Sequence, residues 1–184
     1  MAEDVARCSE ERLIRRAVNG DTEAFGELYV RHLDQIYRYV FYKVGDAKRA
    51  EDLTERVFLS AWEGMENYQT RGHPFSSWLY RIAHNAVVDH YRADRDEKPL
   101  DAIALTLADE ALGPEETVLA RQEVSRLMEA LAKLSDEMQE LIILRFVEGL
   151  PHAQVAEILD KSVGACRVMQ HRALATLSEI LQEG

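Results

Sequence analysis

The 184-residue chain predicts an all-α protein of two small helical domains joined by an acidic linker. Three observations predict this. Apolar residues recur at intervals of three and four along most of the chain, with no strand-like alternation of any length. Gly, Asn, Asp and Pro fall where those periodic runs stop. From about Asp96 to Thr117 the periodicity weakens, Pro99, Gly113 and Pro114 appear, and over 96–123 two bases stand against eight acids, a net charge of −6. The domains therefore span 10–95 and 118–184, with 96–117 as the linker.

Each element has a local reason. Leu13, Ile14, Ala17 and Val18 form a short stripe that ends at Asn19-Gly20, a helix stop. Asp21 or Thr22 can cap the next helix, whose apolar side runs from Phe25 through Leu28, Leu33, Ile36 and Val40 to Val44 before Gly45-Asp46 breaks it. A third helix, "KRAEDLTERVFLSAWEGM", buries Leu53, Val57, Phe58, Ala61, Trp62 and Met65. "ENYQTRGHP" is a loop. "PFSSWLYRIAHNAVVDHYR" is a fourth helix with Trp78, Leu79, Ile82, Ala83, Ala86 and Val87 inward. After the linker, periodicity resumes at Val118 and continues to Leu134. Ser135 caps a helix with Asp136 and Glu137 in its first turn, where acids suit the positive dipole end, and Gly149 stops it. Pro151 begins a short helix and Ser162 caps the last one.

Composition excludes several classes. The chain is 47% hydrophobic and 30% charged, a soluble globular profile. No apolar run approaches the ~20 residues that span a bilayer, and the charged N-terminus lacks a signal-peptide core; a cytoplasmic protein without membrane insertion is expected. Cys8 and Cys166 form no CxxC pair, and His84 and His90 are six apart and share no helix face, so no metal site, cofactor or disulfide is expected. No nucleophile–base pair points to catalysis, and the chain is not expected to be an enzyme.

The net charge of −11 disfavours nonspecific nucleic-acid binding, yet the charge is uneven. Residues 71–95 carry Arg71, Arg81, Arg92 and Arg95 against Asp89 and Asp94; residues 161–178 carry Lys161, Arg167 and Arg172 with no acid. On the fourth helix Tyr80, Arg81, His84, Asn85, Tyr91 and Arg92 are expected to project away from the core, the aromatic and basic mixture that suits nucleic acid. The last two helices read as a helix-turn-helix. Val155, Ala156, Ile158 and Leu159 pack inward from the first, Val163, Cys166, Leu174 and Leu177 from the second, and Arg167, Gln170, His171 and Arg172 remain outside for bases and phosphates.

"LSDEMQELIILRFVEGLPHAQVAEILDKSVGACRVMQHRALATL" resembles region 4 of bacterial RNA polymerase sigma factors of the extracytoplasmic-function type. Arg145 to Gly149, Ala156 to Leu159, Ser162 to Gly164 and His171 to Ala173 match the family's motifs. "AEDLTERVFLSAW" resembles the region 2 helix that binds core RNA polymerase, and "SSWLYRIAHNAVVDHYR" the helix that engages the minus-ten element. The resemblance covers nearly the whole chain. It implies a sigma region 2 bundle and a sigma region 4 helix-turn-helix, binding to core polymerase and promoter DNA, and an anti-sigma factor as regulator.

The resemblance also implies residue roles. Asp52, Leu53, Glu55, Arg56, Phe58, Leu59 and Trp62 would meet the polymerase. Asn67, Tyr68, Gln69, Arg71, His73, Phe75, Ser77 and Trp78, with the outer residues of the fourth helix, would recognise and melt the minus-ten region; the loop 67–77 would capture an unstacked base between polar groups and flat rings. Lys161, Ser162, Ala165, Arg167, Val168, Gln170, His171 and Arg172 would meet the minus-thirty-five element. The linker would lie in the polymerase channels as an acidic mimic of nucleic acid, or serve as a solvated tether. Val168 and Met169 stand where the family more often places a small polar and a basic residue, Ala165 replaces a common Thr, and Gln170 stands where an apolar residue is usual; these departures reduce the capacity for base readout. A sigma-like interaction module that has lost specific promoter recognition therefore stays open as the alternative.

Overall fold

The computed structural model describes residues 2–70, 72–93, 126, 127 and 129–183. Among them every regular element is helical, in two modules. The linker 96–117, the run 118–125 and Arg71 lie outside the described residues.

The N-terminal module is four helices, α1 (Ala2–Val18), α2 (Thr22–Val44), α3 (Ala47–Gly64) and α4 (Phe75–Ala93), with a 3-10 turn at Met65–Asn67. Their ends follow the chemistry expected of them. Gly20 takes φ +84, and its N–H donates to Ala17. The Asp21 carboxylate caps α2 by accepting from the N–H groups of Glu23 and Ala24. Gly45, left-handed at φ 65, closes α2 with its N–H on the Phe41 carbonyl. Asp46 caps α3 by accepting from Arg49 N–H at 2.7 Å. Inside the bundle, Leu28, Ile36, Val40, Val57, Leu79 and Ala83 are wholly buried, because the three-and-four spacing puts them on facing stripes.

The C-terminal module is α5 (Asp136–Ile142), α6 (His152–Ile158) and α7 (Val163–Glu183). Three local expectations are corrected. Ser135 sits at the cap position of α5 but its side chain makes no capping bond. Pro151 stands one position before the first residue of α6. The helix expected to run to Gly149 changes to a π turn over Ile143–Val147, with Glu148 N–H reaching back to Ile143. Gly149 at φ +69 then reverses the chain, and the Arg145 guanidinium donates to the Leu150 carbonyl. Ser162 does cap α7, accepting from Ala165 N–H at 3.1 Å.

The helix-turn-helix core holds Val155, Ala156, Ile158, Cys166, Ala173 and Leu177. Val163 and Leu174, expected inside, are 37% and 42% exposed; Ala173 and Leu177, four apart, take the inward stripe, which turns Leu174 to solvent. The two modules touch. α6 packs on α4, and the π turn packs on α2.

Candidate nucleic-acid interface

The loop after α3 and the start of α4 build a cleft of about 430 Å³ lined by Gly64, Asn67, Tyr68, Gln69, His73 and Pro74, with Trp78, Arg81 and Glu157. Its floor is aromatic. Tyr68 lies 4.8 Å from Trp78 and 5.4 Å from Phe75, centroid to centroid, and Phe75 is 5.5 Å from Trp78. Trp78 packs over Gly64, where a Cβ would stand 3.4 Å from the indole ring, an ordinary van der Waals contact. Phe75 and Ser77, expected to meet DNA, are instead buried at 2% each and do not line the cleft, whereas Asn67, Gln69, Arg81, Asn85 and Arg92 are exposed. Burial lifts the Tyr68 hydroxyl above its usual range, so it stays a donor.

One residue of α4 is not where its spacing placed it. Tyr80, expected outward, is 1% exposed. Its ring meets Tyr39 edge-on at 5.4 Å and its hydroxyl donates to Glu148 at 2.7 Å. It is held between Tyr39 of the N-terminal bundle and Glu148 of the C-terminal module. Burial and the Glu148 carboxylate both raise its pKa and keep it protonated. His84 and Tyr91 are half-buried; the Tyr91 hydroxyl donates to the Lys43 carbonyl.

The covering side contributes three carboxylates. Glu140 on α5, 3% exposed, accepts from Lys43 Nζ at 2.7 Å and from the Tyr39 hydroxyl, and stands 3.2 Å from His84 Nδ1. Burial would raise its carboxyl, but the Lys43 ammonium and His84 outweigh that and hold it down at about 2. Glu148, just after the π turn, takes a two-pronged contact from Arg38, at 2.9 and 2.7 Å. Glu157 on α6 reaches the cleft, 3.1 Å from His73 Nδ1. The ion pairs of Arg38 and Lys43 and the hydrogen bond of Tyr80 thus join α2 and α4 to the C-terminal module.

Sequence reasoning missed Arg38, Tyr39 and Lys43, and gave Glu140, Glu148 and Glu157 no role. Two signals were present. Tyr39 and Lys43 are one turn apart within the apolar run of α2, and Glu140 interrupts the apolar run of α5, where an unpaired charge would be costly.

On α3, Asp52, Glu55, Arg56 and Leu59 form the outer face, with Leu59 58% exposed. Leu53 and Phe58 are 3% and 4% exposed; Phe58 packs edge-on against Tyr29. They belong to the core and hold α3 in place rather than presenting a surface. Trp62 is half-buried against Phe25. On α7, Ser162, Ala165, Arg167, Val168, His171 and Arg172 are all exposed. Lys161 is partly screened by Glu137 at 2.9 Å, and Gln170 accepts from Arg145 at 3.2 Å, which turns one of its polar ends inward.

Residues 28–97 match the family Sigma-70 region 2, and residues 125–177 match Sigma-70, region 4. The chain is 36% identical over 181 residues to the ECF RNA polymerase sigma factor BldN of Streptomyces coelicolor, covering 98% of this chain and 68% of that one. It is 33% identical to the ECF RNA polymerase sigma factor SigD of Mycobacterium tuberculosis, covering 92% and 82%. The structure is similar to that of CnrH, a sigma factor of Cupriavidus metallidurans, solved in complex with the cytosolic domain of CnrY; the TM-score is 0.72 at 26% identity, over 95% of this chain and 98% of that chain.

Proposed function

Because the chain belongs to the extracytoplasmic-function sigma factors of RNA polymerase, we propose a division of labour among its surfaces. The protein binds core polymerase and directs promoter-specific initiation. The outer face of α3, with Asp52, Glu55, Arg56 and Leu59, docks on the polymerase; its exposed apolar residue ringed by charges has the mixed character of an interface. The cleft between the 3-10 turn and α4 takes a base flipped out of the minus-ten element, stacked against Tyr68 and Trp78 and held by Asn67, Gln69 and Arg81. Returned stacking energy of about 1–3 kcal/mol per base offsets the cost of opening the duplex. The exposed face of α7 enters the major groove at the minus-thirty-five element, with Arg167, His171 and Arg172 on phosphates and base edges.

The observation that carries this reading is the cleft, where an aromatic floor meets polar walls at the position the loop 67–77 was expected to occupy. The domain limits 10–95, 96–117 and 118–184 follow from the same assignment. The protein makes and breaks no bonds itself and works in the cytoplasm beside the polymerase; among the described residues no helix is long and apolar enough to cross a membrane. An anti-sigma factor regulates it, a reading supported by the likeness to CnrH, which was solved with the cytosolic domain of another protein.

The test is run-off transcription with purified core polymerase, followed by sequencing of the transcripts. Specific start sites that share two upstream elements are expected. Polymerase binding without any specific start would favour the alternative, an interaction module that has lost promoter recognition.

A further inference from the structure

The solvent face of α7 carries an apolar residue that neither the core nor the helix requires. Val168 is 53% exposed. By helical spacing it falls opposite Cys166 and Ala173, the buried stripe of the same helix. Valine is also a poorer helix former than most straight-chain residues, so local stability does not favour it there either.

Its surroundings narrow what it meets. Ala165, one turn earlier, is exposed beside it. Arg167 and His171 lie on one flank of this small apolar centre and Arg172 on the other, all exposed. Residues 161–178 hold no acid. Basic flanks around an apolar centre match the cross-section of the major groove, where phosphates line both walls and base edges form the floor. Val168 also lies in the first two turns of α7, the part of a recognition helix that contacts bases. Polar readout from this centre is small. Gln170, the only amide in that segment, is half-buried, and its Oε1 accepts from Arg145 at 3.2 Å. That engages the acceptor end which a bidentate contact to adenine uses. The apolar group that a base presents on the groove floor is the 5-methyl of thymine.

We propose that Val168, with the Ala165 methyl beside it, reads the 5-methyl groups of thymine in the minus-thirty-five element, while Arg167 and Arg172 hold the phosphates to either side. The departures from the family pattern at positions 165 and 168 then exchange polar readout for apolar readout. The proposal rests on the assignment of α7 to that element and names the base feature it recognises.

The test uses holoenzyme reconstituted from core polymerase and the full chain, on duplexes of a promoter mapped by wild-type run-off transcription. Each thymine of the minus-thirty-five element is replaced singly by 2′-deoxyuridine, which keeps the base pair and removes only the 5-methyl. Competition binding is expected to weaken about fourfold at one position or more, the equivalent of the ~0.8 kcal/mol for burial of one methyl. Val168→Ala, which keeps or improves helix propensity, should lose that sensitivity at the same position. A mapped element with no thymine on either strand, no position sensitive to deoxyuridine, or equal sensitivity in wild type and Val168→Ala overturns the proposal. A duplex with the minus-thirty-five element scrambled separates the proposal from the assignment beneath it. If scrambling weakens binding and deoxyuridine does not, the promoter assignment stands and the methyl readout falls. If scrambling has no effect, both fall.

Discussion

Glu140→Ala tests a buried charge of α5 that is 3% exposed. The substitution removes the acceptor for Lys43 and Tyr39 and the neighbour of His84. Two routes give its magnitude. Breaking a buried pair by removing one partner costs about 3–5 kcal/mol, because the other charge stays behind. Lys43, only 7% exposed, is that charge. Alternatively, the fall of the Glu140 carboxyl from 4.5 to about 2 corresponds to about 3 kcal/mol at roughly 1.4 kcal/mol per pH unit. Urea unfolding at pH 7 is the assay, with Lys43→Met and the double variant completing a cycle. The single variants should each be strongly destabilised, and Glu140→Ala/Lys43→Met should recover much of the loss. The pH dependence has a definite sign. A carboxyl whose folded pKa is depressed contributes fully above 4.5, and its contribution disappears as pH falls towards about 2. A loss below about 1 kcal/mol for Glu140→Ala, or no coupling to Lys43, would refute the buried pair as a determinant of module docking.

Three further outcomes follow from other surfaces. Trp78→Ala with Arg81→Ala should reduce open-complex formation by about tenfold or more, from a lost stack of about 1–3 kcal/mol, while core-polymerase affinity holds; equal loss in both assays would show damage to the bundle instead. Asp52→Ala with Leu59→Ala should weaken binding to core polymerase in a pull-down titration without changing the thermal midpoint, since both side chains are exposed; unaltered affinity would remove α3 as the docking face. Gly45→Ala should destabilise by about 1–2 kcal/mol in urea unfolding, because φ 65 is left-handed and a Cβ is strained there; a neutral result would place the α2–α3 turn elsewhere.

Local signals located most helix ends, since caps and stops act within one turn of the chain. Asp21, Gly45, Asp46 and Ser162 each bond to backbone no more than four residues away. The same holds for the apolar stripes, and so for the all-α class and for both modules. The resemblance to sigma factors was legible for a related reason: its motifs are short runs in which neighbours in sequence are neighbours on a helix.

What sequence reasoning misplaced depends on contacts between distant segments. Helical spacing says that Tyr80 leaves the N-terminal core; it cannot say that Glu148 waits there, 68 residues further on. Leu53 and Phe58 carry family motifs on an amphipathic helix, yet which edge of a broad apolar face is covered depends on how α2 lies across it. Val163 and Leu174 stayed outside because Ala173 and Leu177 took the contact with α5 and α6. Periodicity along one chain segment is enough to choose helices and their apolar sides, because it reports a segment's own geometry. Burial of a charge beside its partner is a property of two segments at once, and here it is the docking of the second module that brings Glu140 to Lys43 and Glu148 to Arg38 and Tyr80.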